Sequence, residues 1–201
     1  MLDTRSGSRG SAAILPEGAF LVPDFVTVER EGELLREIDR QTWITELRRR
    51  VQHYGWRYDY RARSVHADSK LGAIPGWLEE ECARLSGDGW FEALPDQVIV
   101  NEYRPGQGIA AHVDCIPCFG PVIASLTLGS RCEIVFTHRT NGKRRACILA
   151  PRGLLVFSGP ARFDWTHAIP PRKSDLVDGQ RHRRGRRVSL TYRSVPGFAD
   201  Q

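Results

Sequence analysis

The amino-acid sequence predicts an α+β fold in which N-terminal helices pack against one side of an antiparallel β core of the sandwich or jelly-roll type. Apolar residues recur at helical spacing before residue 94 and mainly with a period of two after it. The apolar runs after residue 94 are short and are separated by Gly, Pro and Asn, which is typical of antiparallel strands joined by turns. Such a pattern favours a sandwich or a jelly roll.

Two helices are expected before the strands. An amphipathic helix is predicted from Thr27 to about Gln41, because its apolar residues fall on one face among Glu and Arg. That face consists of Leu34, Leu35 and Ile38. A second helix is predicted to begin at Pro75 and to end near Gly87. Its buried stripe consists of Leu78, Cys82 and Leu85.

Six strands are predicted after these helices. They cover residues 97–103, 122–128, 132–138, 146–149, 153–157 and 187–193. Between the last two, the segment from Arg172 to Arg186 is rich in charge and poor in large apolar residues, so it is predicted to be an exposed loop.

The length and composition indicate one globular domain. A chain of 201 residues with 41% hydrophobic residues builds one core of ordinary size. Residues 1–15 are rich in Ser, Gly and Arg and are expected to form a flexible tail, which leaves residues 16–201 as a single domain. No apolar run is long enough for a membrane span or a secretory signal, so a cytoplasmic protein without a membrane partner is expected. We expect a monomer.

The five cysteines favour free thiols in a reducing compartment, because an odd number argues against a disulfide framework in a chain of this size. Cys115 and Cys118 form a C-x-x-C pair, but no second pair follows at the spacing of a zinc site. Two free thiols in a loop are therefore expected, with a metal site as the alternative.

The formal net charge of +5 favours a polyanionic partner because the basic residues are clustered. An excess spread evenly would only aid solubility. One cluster contains Arg48, Arg49, Arg50, Arg57, Arg61 and Arg63, and the other contains Arg181, Arg183, Arg184, Arg186 and Arg187.

The tripeptide His112-Val113-Asp114 is a candidate metal site. Residues two apart in an extended segment point the same way, so the imidazole and the carboxylate can reach one ion. An isolated H-x-D arises often by chance, and the third ligand has to come from elsewhere; His167, after an apolar run, is the candidate. Two histidines and one carboxylate form the facial triad of non-haem Fe(II) oxygenases. The remaining histidines are expected to be surface or structural residues, namely His53, His66, His138 and His182.

The last predicted strand is a candidate anion site. Its two-residue period places Arg187, Ser189, Thr191 and Arg193 on one face, opposite Val188, Leu190 and Tyr192. A solvated charged face is the alternative, but a dicarboxylate fits two arginines better because guanidinium pairs bidentately with carboxylate. The backbone positions of Arg187 and Arg193 lie about 20 Å apart at roughly 3.3 Å per residue, so the two arginine side chains have to lean toward one another to share one ligand. On the strand 97–103, Asn101 and Tyr103 share a face and offer neutral donors.

These residues resemble the AlkB family of Fe(II)/2-oxoglutarate-dependent dioxygenases. The family pattern of N-x-Y-x-x-G, H-x-D, a distant H and R-x-x-x-x-x-R is present in order between Asn101 and Arg193. The resemblance extends from about Val22 to Val195 and includes residues 49–55 and 125–130. It is strongest toward the branch that contains the oxygenase domain of the eukaryotic wobble-uridine tRNA hydroxylase, through residues 107–109, 125–130 and 162–167.

The resemblance implies a double-stranded β-helix, which is a jelly roll, with Fe(II) on His112, Asp114 and His167. It also implies the cosubstrates 2-oxoglutarate and O₂. Arg187 and Tyr103 would hold the distal carboxylate of 2-oxoglutarate, whereas Arg193 and Asn101 would hold the carboxylate beside the metal. The lining of the cosubstrate pocket would further include Ile109, Ser125 and Ser189.

The implied substrate is a modified base in nucleic acid, which the enzyme would demethylate or hydroxylate. The branch favours tRNA, and repair of alkylated DNA is the first alternative. Oxidation of a protein or a small molecule by the same fold is the second, and a noncatalytic binding module is the third. A base has to leave its stack to reach a buried metal, so aromatic and basic residues are expected at the mouth of the site. The candidates are Trp56, Arg57, Tyr58 and Tyr60, with core packing as the alternative for Trp56 and Tyr60.

Overall fold

Two antiparallel sheets form the core of the protein in the computed structural model, which describes residues 15–197. The described residues form twelve strands: β1 (Ala19–Val22), β2 (Val51–Tyr54), β3 (Gln97–Tyr103), β4 (Ile109–His112), β5 (Ile123–Gly129), β6 (Cys132–His138), β7 (Arg144–Leu149), β8 (Leu154–Phe157), β9 (Trp165–Ile169), β10 (Ser174–Val177), β11 (Gln180–Arg183) and β12 (Arg187–Arg193). All six predicted strands are confirmed, with ends that differ by one or two residues at most.

The major sheet has six strands in the order β1-β8-β5-β12-β3-β2, and the minor sheet has four in the order β4-β9-β6-β7. Neighbouring strands pair antiparallel throughout. One core cluster lies between the two sheets and contains Phe136 and Phe157. The predicted jelly-roll core is therefore confirmed. The predicted flexible tail lies outside the described residues except for Leu15, which packs against this inter-sheet cluster.

The outer face of the major sheet is covered by two helices, α1 (Val28–Arg40) and α2 (Glu79–Gly87). A second core cluster fills this interface, with residues of β3, β5, β8 and β12 on the sheet side. The prediction that N-terminal helices pack on one side of the β core is confirmed. None of the helices in the described part of the chain is long and apolar enough to cross a membrane.

Local sequence accounts for the bounds of both helices. The hydroxyl of Thr27 accepts a hydrogen bond from the Arg30 N–H at 3.1 Å and caps the first turn of α1. The predicted start of the second helix at Pro75 is the cap of a short 3₁₀ turn, Gly76–Leu78, and the α-helix begins only afterwards. Three consecutive glutamates, 79–81, occupy its first turn, where negative charge interacts favourably with the helix dipole.

A buried ion pair connects the two helices. Arg30 donates from Nε and NH2 to the two carboxylate oxygens of Glu81 at 2.8 and 2.9 Å. Glu81 is only 2% exposed, so this bidentate contact compensates for the cost of burying its carboxylate. Arg30 also donates to the Trp77 carbonyl at 2.8 Å, which fixes the 3₁₀ turn against α1.

The prediction that Arg172 to Arg186 form a loop is wrong. This segment contains the hairpin formed by β10 and β11. Arg184 and Asp175 form a buried bidentate pair there, with distances of 2.5 and 2.6 Å. This buried ion pair connects β10 to the residue that follows β11, and it takes the place that apolar contacts have in many hairpins. A segment of high charge therefore folds as a hairpin.

We predict that Glu81→Ala lowers the free energy of unfolding by about 2–3 kcal/mol, because Arg30 keeps a charge that is left without its main partner. Glu80→Ala is the matched control. The Glu80 side chain is next to Glu81 in sequence but 72% exposed, so the loss of unfolding free energy should stay below about 0.5 kcal/mol. Urea denaturation followed by circular dichroism measures both. Equal losses in the two variants would contradict a dominant role for the buried pair.

Candidate metal centre and cosubstrate cavity

The edge of the minor sheet brings the two candidate histidine ligands together. β4 pairs antiparallel with β9, and His112 lies opposite His167 in the register. Their ring centroids are 4.3 Å apart. Asp114 follows two residues after His112, and one ligand atom from each of the three residues lies within 4.8 Å of the others. The structure therefore brings His112, Asp114 and His167 into one cluster.

Asp114 has one carboxylate oxygen that is bound and one that is not. Its Oδ1 accepts hydrogen bonds from Arg193 Nε at 2.9 Å and Arg193 NH2 at 2.5 Å. Its Oδ2 is buried, has no hydrogen-bond partner among residues 15–197, and lies 3.4 Å from His167 Nε2. Burial acts to raise the pKa of Asp114, but the neighbouring Arg193, with the two histidines and Arg162, holds that pKa well below its usual range. An ionised oxygen thus faces the imidazoles.

Both imidazoles have a nitrogen available on the side of Asp114. The Nδ1 atom of His112 lies 2.8 Å from the Ala110 carbonyl oxygen, which can only accept, so Nδ1 is a donor and Nε2 is the nitrogen left for a metal. Burial lowers the pKa of His167 to about 3, and this outweighs the opposing effect of Asp114. Two imidazole nitrogens and one orphaned carboxylate oxygen fit a divalent transition metal with three positions left open.

A cavity of about 390 Å³ extends from these three residues between the two sheets. The face of β12 that was predicted to bind anions lines this cavity, and the opposite face lies in the helix-side core, so the predicted alternation is confirmed. The other predicted pocket residues also line it, namely Asn101, Tyr103, Ile109 and Ser125. Their role toward a cosubstrate stays a prediction.

Arg187 is a buried cation that has no anionic partner among residues 15–197. It is 3% exposed, and NH2 donates to the Thr127 hydroxyl at 2.9 Å. Its Nε and NH1 have no hydrogen-bond partner in the described part of the chain. The guanidinium carbon lies 5.3 Å from the centre of the Tyr103 ring, which faces it across the β3–β12 pair. Unpaired buried donors on a cation are costly, so this end of the cavity is suited to a carboxylate.

Arg193 has a different environment at the other end of β12. Besides Asp114, it contacts Gln97 Oε1 at 3.2 Å and stacks on the Phe119 ring at 4.6 Å. Asn101, predicted to act with Arg193 on one carboxylate, lies opposite Ser189 in the strand register, and its Oδ1 accepts from Arg49 Nε at 2.8 Å. Gln97 is the β3 residue opposite Arg193. The side-chain period of β3 places it on the same face as Asn101, so the sequence carried a signal for it.

Two of the four predicted mouth residues line the cavity, Tyr58 and Tyr60. The rings of these tyrosines lie 5.2 Å apart, edge to face. Trp56 is 4% exposed in the inter-sheet core and donates from its indole N–H to Asp96 at 3.1 Å, so its core-packing alternative is correct. Arg57 is exposed but does not line the cavity. Arg63, from the same basic cluster, is an exposed residue of its lining.

The structure overturns the prediction of free thiols at one place, because Cys115 and Cys118 form a disulfide directly after Asp114. Only two residues separate these cysteines, so the pair closes locally, without a framework of other disulfides. Cys82, Cys132 and Cys147 are free, as predicted, and all three are buried.

Comparison with known proteins identifies the family. The family model described as "2OG-Fe(II) oxygenase superfamily" matches residues 18–193. The chain belongs to this superfamily. It also belongs to the AlkB family within it, since it is 32% identical to the bovine (Bos taurus) mitochondrial alkB homolog 7 over 94% of this chain and 85% of that protein. Residues 18–193 therefore form a domain of an oxidoreductase family that uses Fe(II), 2-oxoglutarate and O₂.

Other relatives are longer than this chain. It is 37% identical to the Arabidopsis thaliana "Alkylated DNA repair protein ALKBH8 homolog", covering 89% of this chain and 58% of that protein. It is 36% identical to the Xenopus tropicalis "tRNA (carboxymethyluridine(34)-5-O)-methyltransferase alkbh8", covering 90% of this chain and 32% of that protein. The chain thus spans only part of the length of these two relatives.

Solved structures share the fold at low sequence identity. The structure of OsALKBH1 matches with a TM-score of 0.65 and 18% identity, over 90% of this chain and 98% of the other. A prolyl-4-hydroxylase from Pseudomonas putida matches with a TM-score of 0.58 and 16% identity, over 90% and 94% of the two chains. These likenesses support the jelly-roll architecture.

The loop that carries the tyrosines is anchored by a histidine that resists protonation. The Tyr58 N–H donates to His53 Nδ1 at 3.1 Å, and the Tyr60 ring contacts the imidazole edge to face at 5.6 Å. Burial, joined by the nearby positive Arg193, Arg57 and Arg49, lowers the pKa of His53 to about 4. A protonated His53 could not accept the hydrogen bond from Tyr58.

We predict that acid destabilises the fold through His53. As the pH falls from 6.5 toward about 4, the unfolded chain binds a proton that the folded protein does not, so stability present above that window is lost within it. The loss should reach roughly 2 kcal/mol, allowing for partial exposure of the ring. His53→Asn keeps an acceptor for Tyr58 but cannot titrate, so its stability should fall less. Urea denaturation at several pH values tests this, and parallel pH profiles of the two proteins would contradict it.

Proposed function

We propose that the protein oxidises a modified base in nucleic acid and that RNA, in particular tRNA, is favoured over DNA. The observation that carries this proposal is the composition of the cavity rim, where Tyr58 and Arg63 lie in the lining together with the metal-ligand candidates. Tyrosine rings stack on bases, and guanidinium groups pair with phosphates. Tyr58 also contacts the Phe119 ring at 5.5 Å, so it is held beside the loop that follows Asp114.

We assign Fe(II) to His112, Asp114 and His167. The support is the orphaned Oδ2 of Asp114 beside two imidazoles, of which His167 has a pKa lowered by burial. When bound, the iron with 2-oxoglutarate and O₂ supplies the oxidation of a substrate C–H bond, and 2-oxoglutarate is converted to succinate and CO₂. Arg193 keeps Asp114 ionised and oriented through two hydrogen bonds, so that its second oxygen remains available.

We assign the distal carboxylate of 2-oxoglutarate to Arg187, with Tyr103 beside it. The support is the pair of unpartnered donors on Arg187, which a carboxylate would satisfy. The carboxylate beside the metal is assigned to Arg193 and Asn101, the latter through its Nδ2, because Arg49 occupies its Oδ1. The side chains of Ile109, Ser125 and Ser189 complete the cosubstrate part of the cavity.

The names of the relatives support nucleic acid as the substrate class, since one is called an alkylated DNA repair protein and another a tRNA methyltransferase. Repair of alkylated DNA is therefore the second candidate. Oxidation of an N-methyl group would release formaldehyde, whereas oxidation of a carbon substituent would leave a stable alcohol. Hydroxylation of a protein, suggested by the shared fold of a prolyl-4-hydroxylase, is the outcome expected if nucleic acid proves inert.

We predict that Asp114→Ala lowers succinate release at least about 1000-fold, because the anionic ligand and the partner of Arg193 are both lost. Succinate is measured by mass spectrometry with Fe(II), ascorbate and 2-oxoglutarate supplied. Asp164→Ala is the matched control, since this aspartate is exposed and lies three residues before His167. It should keep wild-type turnover. Equal turnover in wild type and Asp114→Ala would refute the metal assignment.

We predict that affinity for tRNA exceeds affinity for duplex DNA of equal charge, and that both fall steeply with salt because phosphates are contacted. Fluorescence anisotropy across a salt series measures the two polymers. Arg63→Ala should weaken both and make the salt dependence less steep by about one phosphate contact. Nucleoside mass spectrometry after turnover then identifies the altered base. Negligible binding to both polymers that is flat in salt would overturn the nucleic-acid assignment and leave the oxygenase assignment intact.

A further inference from the structure

Arg162 is the most deeply buried arginine near the metal-ligand candidates, and it has no carboxylate partner among the described residues. Its side chain is 1% exposed. NH1 donates to the Asp114 carbonyl at 2.9 Å and NH2 donates to the Cys115 carbonyl at 3.3 Å. Nε has no hydrogen-bond partner in the same part of the chain. Burial of a guanidinium against neutral backbone groups is costly, so the fold retains it at the expense of stability.

The position of Arg162 connects the two segments that supply the metal ligands. It lies in the short helix α3 (Gly159–Phe163), and the chain then enters β9, which carries His167. Its two acceptors belong to the segment that carries Asp114. The guanidinium also lies 5.1 Å from the ring of Phe163, which limits its freedom to move. One side chain thus spans from the His167 segment to the Asp114 segment.

Asp114 needs this support because the sheet does not provide it. The β4–β9 ladder ends at the pair His112 and His167, so Asp114 lies beyond the last strand pairing. Arg193 fixes only its carboxylate, at Oδ1. Arg162 donates to the backbone carbonyls of residues 114 and 115. The Cys115 carbonyl also accepts from the Cys118 and Phe119 N–H groups at 3.2 Å, so the specific contribution of Arg162 is its hydrogen bond to the Asp114 carbonyl. With both restraints in place, the Oδ2 atom of Asp114 has no hydrogen-bond partner among residues 15–197.

We propose that Arg162 is a positioning residue that holds the Asp114 segment in the orientation in which Oδ2 and the two imidazoles bind one metal ion together. This inference rests on the proposed assignment of Fe(II) to His112, Asp114 and His167. Arg162 does not touch the metal in this role. It acts through two backbone carbonyls, so the planar fork of the guanidinium is what the position requires, and the charge alone does not replace it.

We predict that Arg162→Met weakens metal binding about 10- to 100-fold, because ligand orientation is lost. The probe is Co(II), titrated anaerobically into metal-free protein by calorimetry and by the visible absorption of the bound ion. Arg162→Lys, which reaches one carbonyl at most, should fall between wild type and Arg162→Met. Arg139→Met is the matched control, since exposed Arg139 donates to the Phe163 carbonyl at 2.9 Å without reaching Asp114, and its Co(II) affinity should equal that of wild type.

The melting temperature separates positioning from a purely structural role. Saturation of a native-state site raises the melting temperature by mass action, so the shift produced by a fixed Co(II) concentration should shrink in Arg162→Met beyond any change in the metal-free protein. A folded Arg162→Met with wild-type Co(II) affinity would overturn the proposal. If that variant does not fold, Arg162→Lys with wild-type affinity and absorption overturns it instead. Unchanged Co(II) binding in Asp114→Ala would show a different failure, that of the iron assignment itself.

Discussion

The alternation of side chains along β12 is the constraint on which the rest of the structure depends. Val188, Leu190 and Tyr192 fill the core beneath the helices, while Arg187 and Arg193 face the cavity. A slip of one residue would place the arginines in the helix-side core and apolar side chains in the cavity. Pairing to β3 on one side and β5 on the other holds the register over nearly the full strand. The two faces of β12 therefore contribute to an apolar core on one side of the sheet and to a polar cavity on the other.

The second determinant is the imbalance of charge that this strand creates. Among the residues that line the cavity, Asp114 is the single carboxylate, whereas four arginines line it: Arg49, Arg63, Arg187 and Arg193. Arg193 satisfies Asp114, which leaves Arg187 buried with two free donors. A folded protein tolerates such a group when a ligand completes it. Against the effect of burial, Arg193 keeps the pKa of Asp114 low, and burial, joined by Arg193 and other nearby groups, keeps the pKa of His167 low. One arginine of β12 therefore acts on two of the three metal-ligand candidates.

Periodicity was sufficient to predict those features in which side-chain direction follows the backbone. The faces of β12, the β3 pair Asn101 and Tyr103, and the i, i+2 relation of His112 and Asp114 all follow from the pleat of a strand. The role of Arg162 could not be predicted this way, because its partners are backbone carbonyls and leave no pattern in the sequence. The β10–β11 hairpin was missed for a related reason: its anchor is a buried ion pair, and charged residues ordinarily indicate solvent. Aromatic residues were ambiguous, so Trp56 and Tyr58 could be separated only by three-dimensional packing.

Part of each basic cluster of the sequence is used inside the fold, and under the proposed function this changes how a polyanion is recognised. Arg184 pairs with Asp175, Arg186 pairs with Asp39 and Glu102, and Arg50 also pairs with Glu102. Neutralised arginines contribute little to a long-range field. Charge at the cavity rim, where Arg63 is exposed, therefore has more influence on a bound strand than the net charge suggests. Under the proposed function, specificity has to come from the cavity and its aromatic rim, because a short-range contact discriminates between bases while a diffuse charge does not.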